Sequence, residues 1–118
     1  MKEIDWNTKK NNQLIEAILV LKNADEAKRF LRDLMTKSEI KEFANRLEAA
    51  TLLSKDVQYN TIIKNTGLSS TTIARISKWL KGSLGGYRLI LNRIIPNQSK
   101  LNMGHSTLSK LRKGLSLN

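Results

Sequence analysis

The chain has 118 residues, 40% apolar and 26% charged, with no cysteine and a formal net charge of +11. That length supports one hydrophobic core rather than two, and the lack of cysteine excludes disulfides, thiolate nucleophiles, zinc ribbons and iron–sulfur sites. The charge is lopsided: all ten Asp/Glu lie at or before Asp56, and the Lys/Arg beyond it meet no carboxylate.

Clustered like charge destabilises a compact fold, so such a field points to a polyanionic partner, most often nucleic acid. The longest apolar run, Ala17–Leu21, is far short of the ~20 residues that span a bilayer. The segment after Met1 has no apolar stretch of the signal-peptide kind. The expectation is a soluble, cytoplasmic protein with no membrane partner.

In chain order, the pattern predicts an all-α protein of about six helices. Residues 8–22 place Leu14, Ile15, Ile18, Leu19 and Leu21 at helical spacing before Asn23. Residues 25–34 give a short second helix with Ala27, Phe30, Leu31 and Leu34 on one side. Thr36-Lys37-Ser38-Glu39 has the form of a capping box, in which a hydroxyl and a carboxylate each satisfy one orphan amide. A long third helix follows to about Ser54, with Ile40, Phe43, Leu47, Ala50, Leu52 and Leu53 apolar. Two short helices, about 58–66 and 70–80, flank Gly67. Gly82 and the Gly85-Gly86 pair precede a last helix over 87–95, stopped by Pro96. Residues 1–96 are thus read as one helical domain and 97–118 as a basic, flexible tail.

The segment 58–80 fits a helix-turn-helix. Ile62, Ile63, Leu68, Ile73 and Ile76 supply apolar residues at the needed offsets, and Gly67 supplies a turn residue tolerant of positive φ. Ser69 or Ser70 is a natural N-cap, and the capped end can receive a phosphate. With Ile73 and Ile76 inward, Thr71, Thr72, Arg75, Lys78 and Trp79 fall on or near the outer side. Ser70, Thr71, Thr72 and Arg75 suit base edges, while Gln58, Lys64, Lys78 and Lys81 suit phosphates.

Four blocks are more specific: Leu34-Met35-Thr36; Ala44-Asn45-Arg46-Leu47-Glu48; the run Thr66-Gly67-Leu68-Ser69-Ser70-Thr71-Thr72-Ile73-Ala74-Arg75; and Gly85-Gly86-Tyr87-Arg88-Leu89. Through them the run from Asp33 to Leu91 resembles the Trp repressor superfamily, most closely its YerC/YecD branch. The resemblance implies an intertwined all-α homodimer that binds operator DNA through the second helix of the motif. It also places Arg46 and Arg75 where the Trp repressor proper has two arginines that help hold its tryptophan corepressor. There the residue after the second arginine is a glycine that leaves space for the indole; here it is Ile76. The stretch between Asp56 and Gly67 is also one residue shorter. Tryptophan binding is therefore not carried over, and no cofactor is expected. Arg46 is read as an ion-pair partner and Arg75 as a DNA contact.

Other constellations read as ordinary surface. His105, the one histidine, has no carboxylate or second histidine nearby to complete a metal site. Glu39 and Glu42 are interleaved with Lys37, Lys41 and Arg46, as on a solvated helix face rather than in an acid–base pair. No enzyme is expected. Trp79 and Tyr87 are expected to pack against the last helix or a partner subunit rather than stack on bases. The expectation is a homodimeric, sequence-specific transcriptional regulator of double-stranded DNA that acts as a repressor. Two alternatives stay open: a non-specific nucleic-acid binder using the basic half, and a module that docks an acidic protein.

Overall fold

The computed structural model describes residues 3–95; the tail 97–118 with His105, and Pro96, lie outside them. Six helices follow in order: α1 Lys9–Leu19, α2 Ala24–Leu34, α3 Lys37–Ser54, α4 Tyr59–Thr66, α5 Ser70–Leu80 and α6 Gly86–Ile94. The described residues contain no strand. Two compact units divide within α3, after Ile40.

In the first unit, side-chain caps set the helix starts. Thr8 accepts from the Asn11 amide to open α1, and Asn23 accepts from the Glu26 amide to open α2. The α1 helix is shorter than its apolar pattern, which ran on to Leu21. The reason is local: the Glu26 carboxylate takes the Lys22 amide at 2.9 Å and Asn23 caps the next helix, so the chain leaves α1 at Val20. Asp25 and Glu26 also complement the positive end of α2. Neither helix has a buried residue, and Ile18, Leu19, Val20 and Leu34 are about half exposed or more.

The capping box opens α3: the Thr36 amide donates to Glu39 Oε1 at 2.9 Å, and the Glu39 amide donates to Thr36 Oγ1 at 3.1 Å. In the second unit α3 buries Ala49 and Ala50 completely, small residues that allow close helix approach. Phe43, expected on the apolar side, is instead half exposed, and Leu47, Leu52 and Leu53 are half-buried. The core comprises Ala49, Ala50, Ile62, Leu68, Ile73, Ile76, Leu80 and Leu91. It joins α4 to α5 and α5 to α6.

The end of α3 turns sharply at Asp56, a non-glycine residue at φ 62°. The Asp56 amide donates to the Leu53 carbonyl and the Val57 amide to that of Leu52, at 3.0 and 3.1 Å. This is a left-handed C-cap of the Schellman type, where glycine is usual. The last helix begins at Gly86 rather than Tyr87 and ends at Ile94. Ile95 is extended, as the residue before a proline prefers. Asp56→Val is expected to lower the unfolding free energy by about 1–2 kcal/mol, because the left-handed region tolerates Asp better than a β-branched side chain. Asp56→Gly is expected to raise it by about 0.5 kcal/mol. Urea unfolding followed by circular dichroism measures both.

Candidate nucleic-acid interface

The turn between α4 and α5 is built by four consecutive residues. Gly67, at φ 76°, ends α4 with its amide on the Ile63 carbonyl at 2.8 Å. Buried Thr66 works on both sides of it: its hydroxyl donates to the Ile62 carbonyl at 2.7 Å and accepts the Leu68 amide at 3.2 Å. Leu68 is buried in the core. Ser69 then caps α5, its hydroxyl oxygen accepting the Thr72 amide at 3.1 Å. Ser69 rather than Ser70 is thus the N-cap, and Ser70 is the first helical residue.

One side of α5 is buried through Ile73, Ile76 and Leu80. With about 100° between successive residues, the opposite side carries Thr71, Ala74, Arg75 and Lys78, all exposed. Ser70 is exposed beside this face. Thr72 is half-buried, and its hydroxyl accepts from that of Ser69 at 3.0 Å, so it is less available than its position in the sequence suggests. Gln58 precedes α4, exposed and without a side-chain capping bond; Lys64 and Lys81 are exposed at the ends of α4 and α5. Residues 57–95 carry Lys64, Arg75, Lys78, Lys81, Arg88 and Arg93 and no carboxylate.

The two arginines of the corepressor comparison are differently engaged. Arg46 is half-buried on α3, donating through Nε and Nη2 to Glu42 Oε2 at 3.2 and 3.1 Å. Its guanidinium lies 5.4 Å from the Phe43 ring centre. Arg75 stands on the exposed face, and Ile76 beside it is 3% exposed, a core side chain. Burial pushes the Tyr87 phenol above its ordinary pKa, while the Arg46 guanidinium draws it partly back. Tyr87 lines an open apolar groove of about 500 Å³ with Leu47, Trp79, Leu84, Gly85, Gly86 and Ile90. Trp79, 53% exposed, therefore borders α6 without being covered by it.

Glu39 caps α3 and Glu42 holds Arg46, so both carboxylates have structural partners. Among the described residues no group of three or more His, Cys, Asp or Glu is placed to hold a metal, and no helix is long and apolar enough to cross a membrane.

The geometry is that of a helix-turn-helix, and the comparison with known proteins agrees. The Trp repressor protein family model matches residues 9–95. The chain belongs to the Trp repressor family. It is 38% identical over 86 residues to the uncharacterized protein YerC of Bacillus subtilis (strain 168), covering 73% of this chain and 83% of YerC. A TrpR-like protein from Eubacterium eligens ATCC 27750 superposes with a TM-score of 0.68 at 36% identity, covering 73% of this chain and 89% of that one. A candidate Trp repressor from Staphylococcus aureus gives a TM-score of 0.67 at 32% identity, over 73% and 86%. This is a regulatory family and not an enzymatic one, and the chain is a helix-turn-helix regulator.

Three features of the Trp repressor-like motif were not read from the sequence: the double role of Thr66, the place of Ala74 on the exposed face, and the apolar groove. A hydroxyl directly before a helix-ending glycine is a signal for the first, and the three-residue step from Thr71 for the second. Thr66→Val leaves the buried Leu68 amide unsatisfied and is expected to cost about 1–3 kcal/mol. Ser69→Ala, which removes the cap, is expected to cost about 1 kcal/mol. Thr66→Ser should retain most of the stability in the same unfolding titration.

Proposed function

We propose that this protein is a homodimeric transcriptional regulator, acting as a repressor, that reads double-stranded DNA with α5 in the major groove. The observation that carries the reading is the exposed face of Thr71, Ala74, Arg75 and Lys78, backed by a buried face of isoleucine and leucine in a region without acids. Arginine can pair with a guanine edge through two hydrogen bonds, and threonine and alanine methyls suit the thymine methyl. Ala74 lets the helix approach closely. Ser69, Ser70 and Thr72 form the capped end, which suits a phosphate. Gln58, Lys64, Lys78 and Lys81 anchor the backbone and set the register.

Two kinds of observation support a second copy. Large apolar side chains stand exposed along α1 and α2 and again at Phe43, Trp79 and Leu84, beyond the scattered single residues of a monomer surface. The resemblance to the Trp repressor family supports an intertwined dimer. Two recognition helices related by a two-fold axis reach successive major grooves, with half-sites about 10 bp apart. Tryptophan is not required in this reading, because Ile76 is a core residue and Arg46 is held by Glu42.

On a duplex enriched from a random pool, Arg75→Ala is expected to cost about 1–3 kcal/mol of binding per protomer and to relax specificity at one base pair of each half-site. Lys78→Ala is expected to weaken all sequences alike and to lower the slope of log K against log salt by about 2, one phosphate contact for each protomer. Fluorescence anisotropy across a salt series reads both. Equal, sequence-independent losses from the two variants would remove Arg75 from the base contacts.

A further inference from the structure

Arg88 differs from the other cations of residues 57–95: it is half-buried, whereas Lys64, Arg75, Lys78, Lys81 and Arg93 are exposed. Its Nη1 donates to the Leu80 carbonyl at 2.6 Å. Leu80 is the last residue of α5, so this carbonyl is one of those a helix end leaves without an intrahelical partner. A guanidinium here makes a charge-assisted hydrogen bond and meets the negative end of the helix dipole. Arg88 lies in α6, eight residues on, so the bond ties one helix to the terminus of the other.

Gly85 makes room for this. It sits at φ 68°, and a Cβ there would fall 2.7 Å from Arg88 Nη2 and 3.3 Å from Cζ. A side chain at this position forces the end of Arg88 to shift and is itself strained by the left-handed backbone. The Gly85-Gly86-Tyr87-Arg88 block thus encodes one device: a left-handed glycine that opens α6 and the arginine packed beneath it.

From this geometry we infer that Arg88, seated under Gly85, is a positioning residue that sets the pose of α5 on DNA. The inference rests on the reading of α5 as the recognition helix. Burial of Ile76, Leu80 and Leu91 holds α5 beside α6, but the hydrophobic effect behind it is non-directional. The Arg88 bond is directional and acts at the far end of α5. The near end is pinned by Thr66, Gly67 and Ser69. With both ends fixed, the angle at which Thr71 and Arg75 meet base edges is fixed too. Arg88 contributes no DNA contact of its own.

The test measures affinity for an enriched duplex and for a random duplex over a salt series, with thermal unfolding in parallel. Arg88→Met is expected to lower the specific-to-random affinity ratio by about tenfold, the scale of losing one base contact, with the salt slope unchanged. Arg88→Lys, which keeps a cationic donor, should restore most of the ratio. Gly85→Ala changes no charge and should lower the ratio as Arg88→Met does; the double variant should be no worse than either. If Arg88→Met is unfolded at the assay temperature, Gly85→Ala and Arg88→Lys decide by the same ratio.

A salt slope lowered by about two, one contact for each protomer, with both duplexes weakened alike, would make Arg88 a phosphate contact and overturn the inference. A lowered melting temperature with an unchanged ratio would overturn it as well, leaving only a structural bond. A wild-type protein that prefers no sequence would instead overturn the proposed function, and the positioning role with it.

Discussion

Ile73, Ile76 and Leu80 bury one side of α5 against a core that includes Ile62, Leu68 and Leu91, and this burial decides what the helix shows to solvent. A helix has no freedom to hide one face without presenting the other. The core residues lie within a narrow arc, so the exposed arc centres on Thr71, Arg75 and Lys78. The turn at Gly67 and the Ser69 cap fix where that arc begins along the axis. The chemistry offered to a partner therefore follows from apolar packing on the opposite side, which contains no functional group.

Charge follows the same division. The carboxylates of the described residues end with Asp56, which closes α3 in a left-handed turn directly before the motif. Upstream, acids have structural tasks: Glu26 and Glu39 satisfy amides at helix starts, and Glu42 holds Arg46. Downstream, helix ends are served by hydroxyls, glycines and an arginine instead: Ser69 opens α5, Gly67 closes α4 and Arg88 closes α5. Capping without carboxylates leaves the field of the motif uncompensated, which suits a polyanion.

The sequence made some of this legible and hid the rest, for identifiable reasons. The limits of α5 and the start of α3 are readable because short-range chemistry marks them: Ser69, Leu80 before Gly82, and Thr36 with Glu39. The end of α1 was overextended because periodicity records which side chains are apolar and not where the chain turns; the turn came from Asn23 and Glu26 serving the next helix. Phe43 followed the apolar spacing of α3 yet stands half exposed, since spacing does not say whether anything covers a face. The partial withdrawal of Thr72 depends on which of two adjacent serines is the cap. The Arg88–Leu80 bond joins two helices across a loop, and no local pattern announces it.

In the proposed function this helix-turn-helix reads a particular duplex sequence as a two-fold pair without a tryptophan corepressor. The most direct measurement is selection from a random duplex library at near-physiological salt, with and without tryptophan. The expected result is enrichment of one two-fold symmetric motif in both conditions, its half-sites about 10 bp apart. Recovery of unselected DNA would contradict sequence-specific reading and favour contact through the basic half alone. Enrichment only with tryptophan would contradict the role given to Ile76 and restore a corepressor site at Arg46 and Arg75.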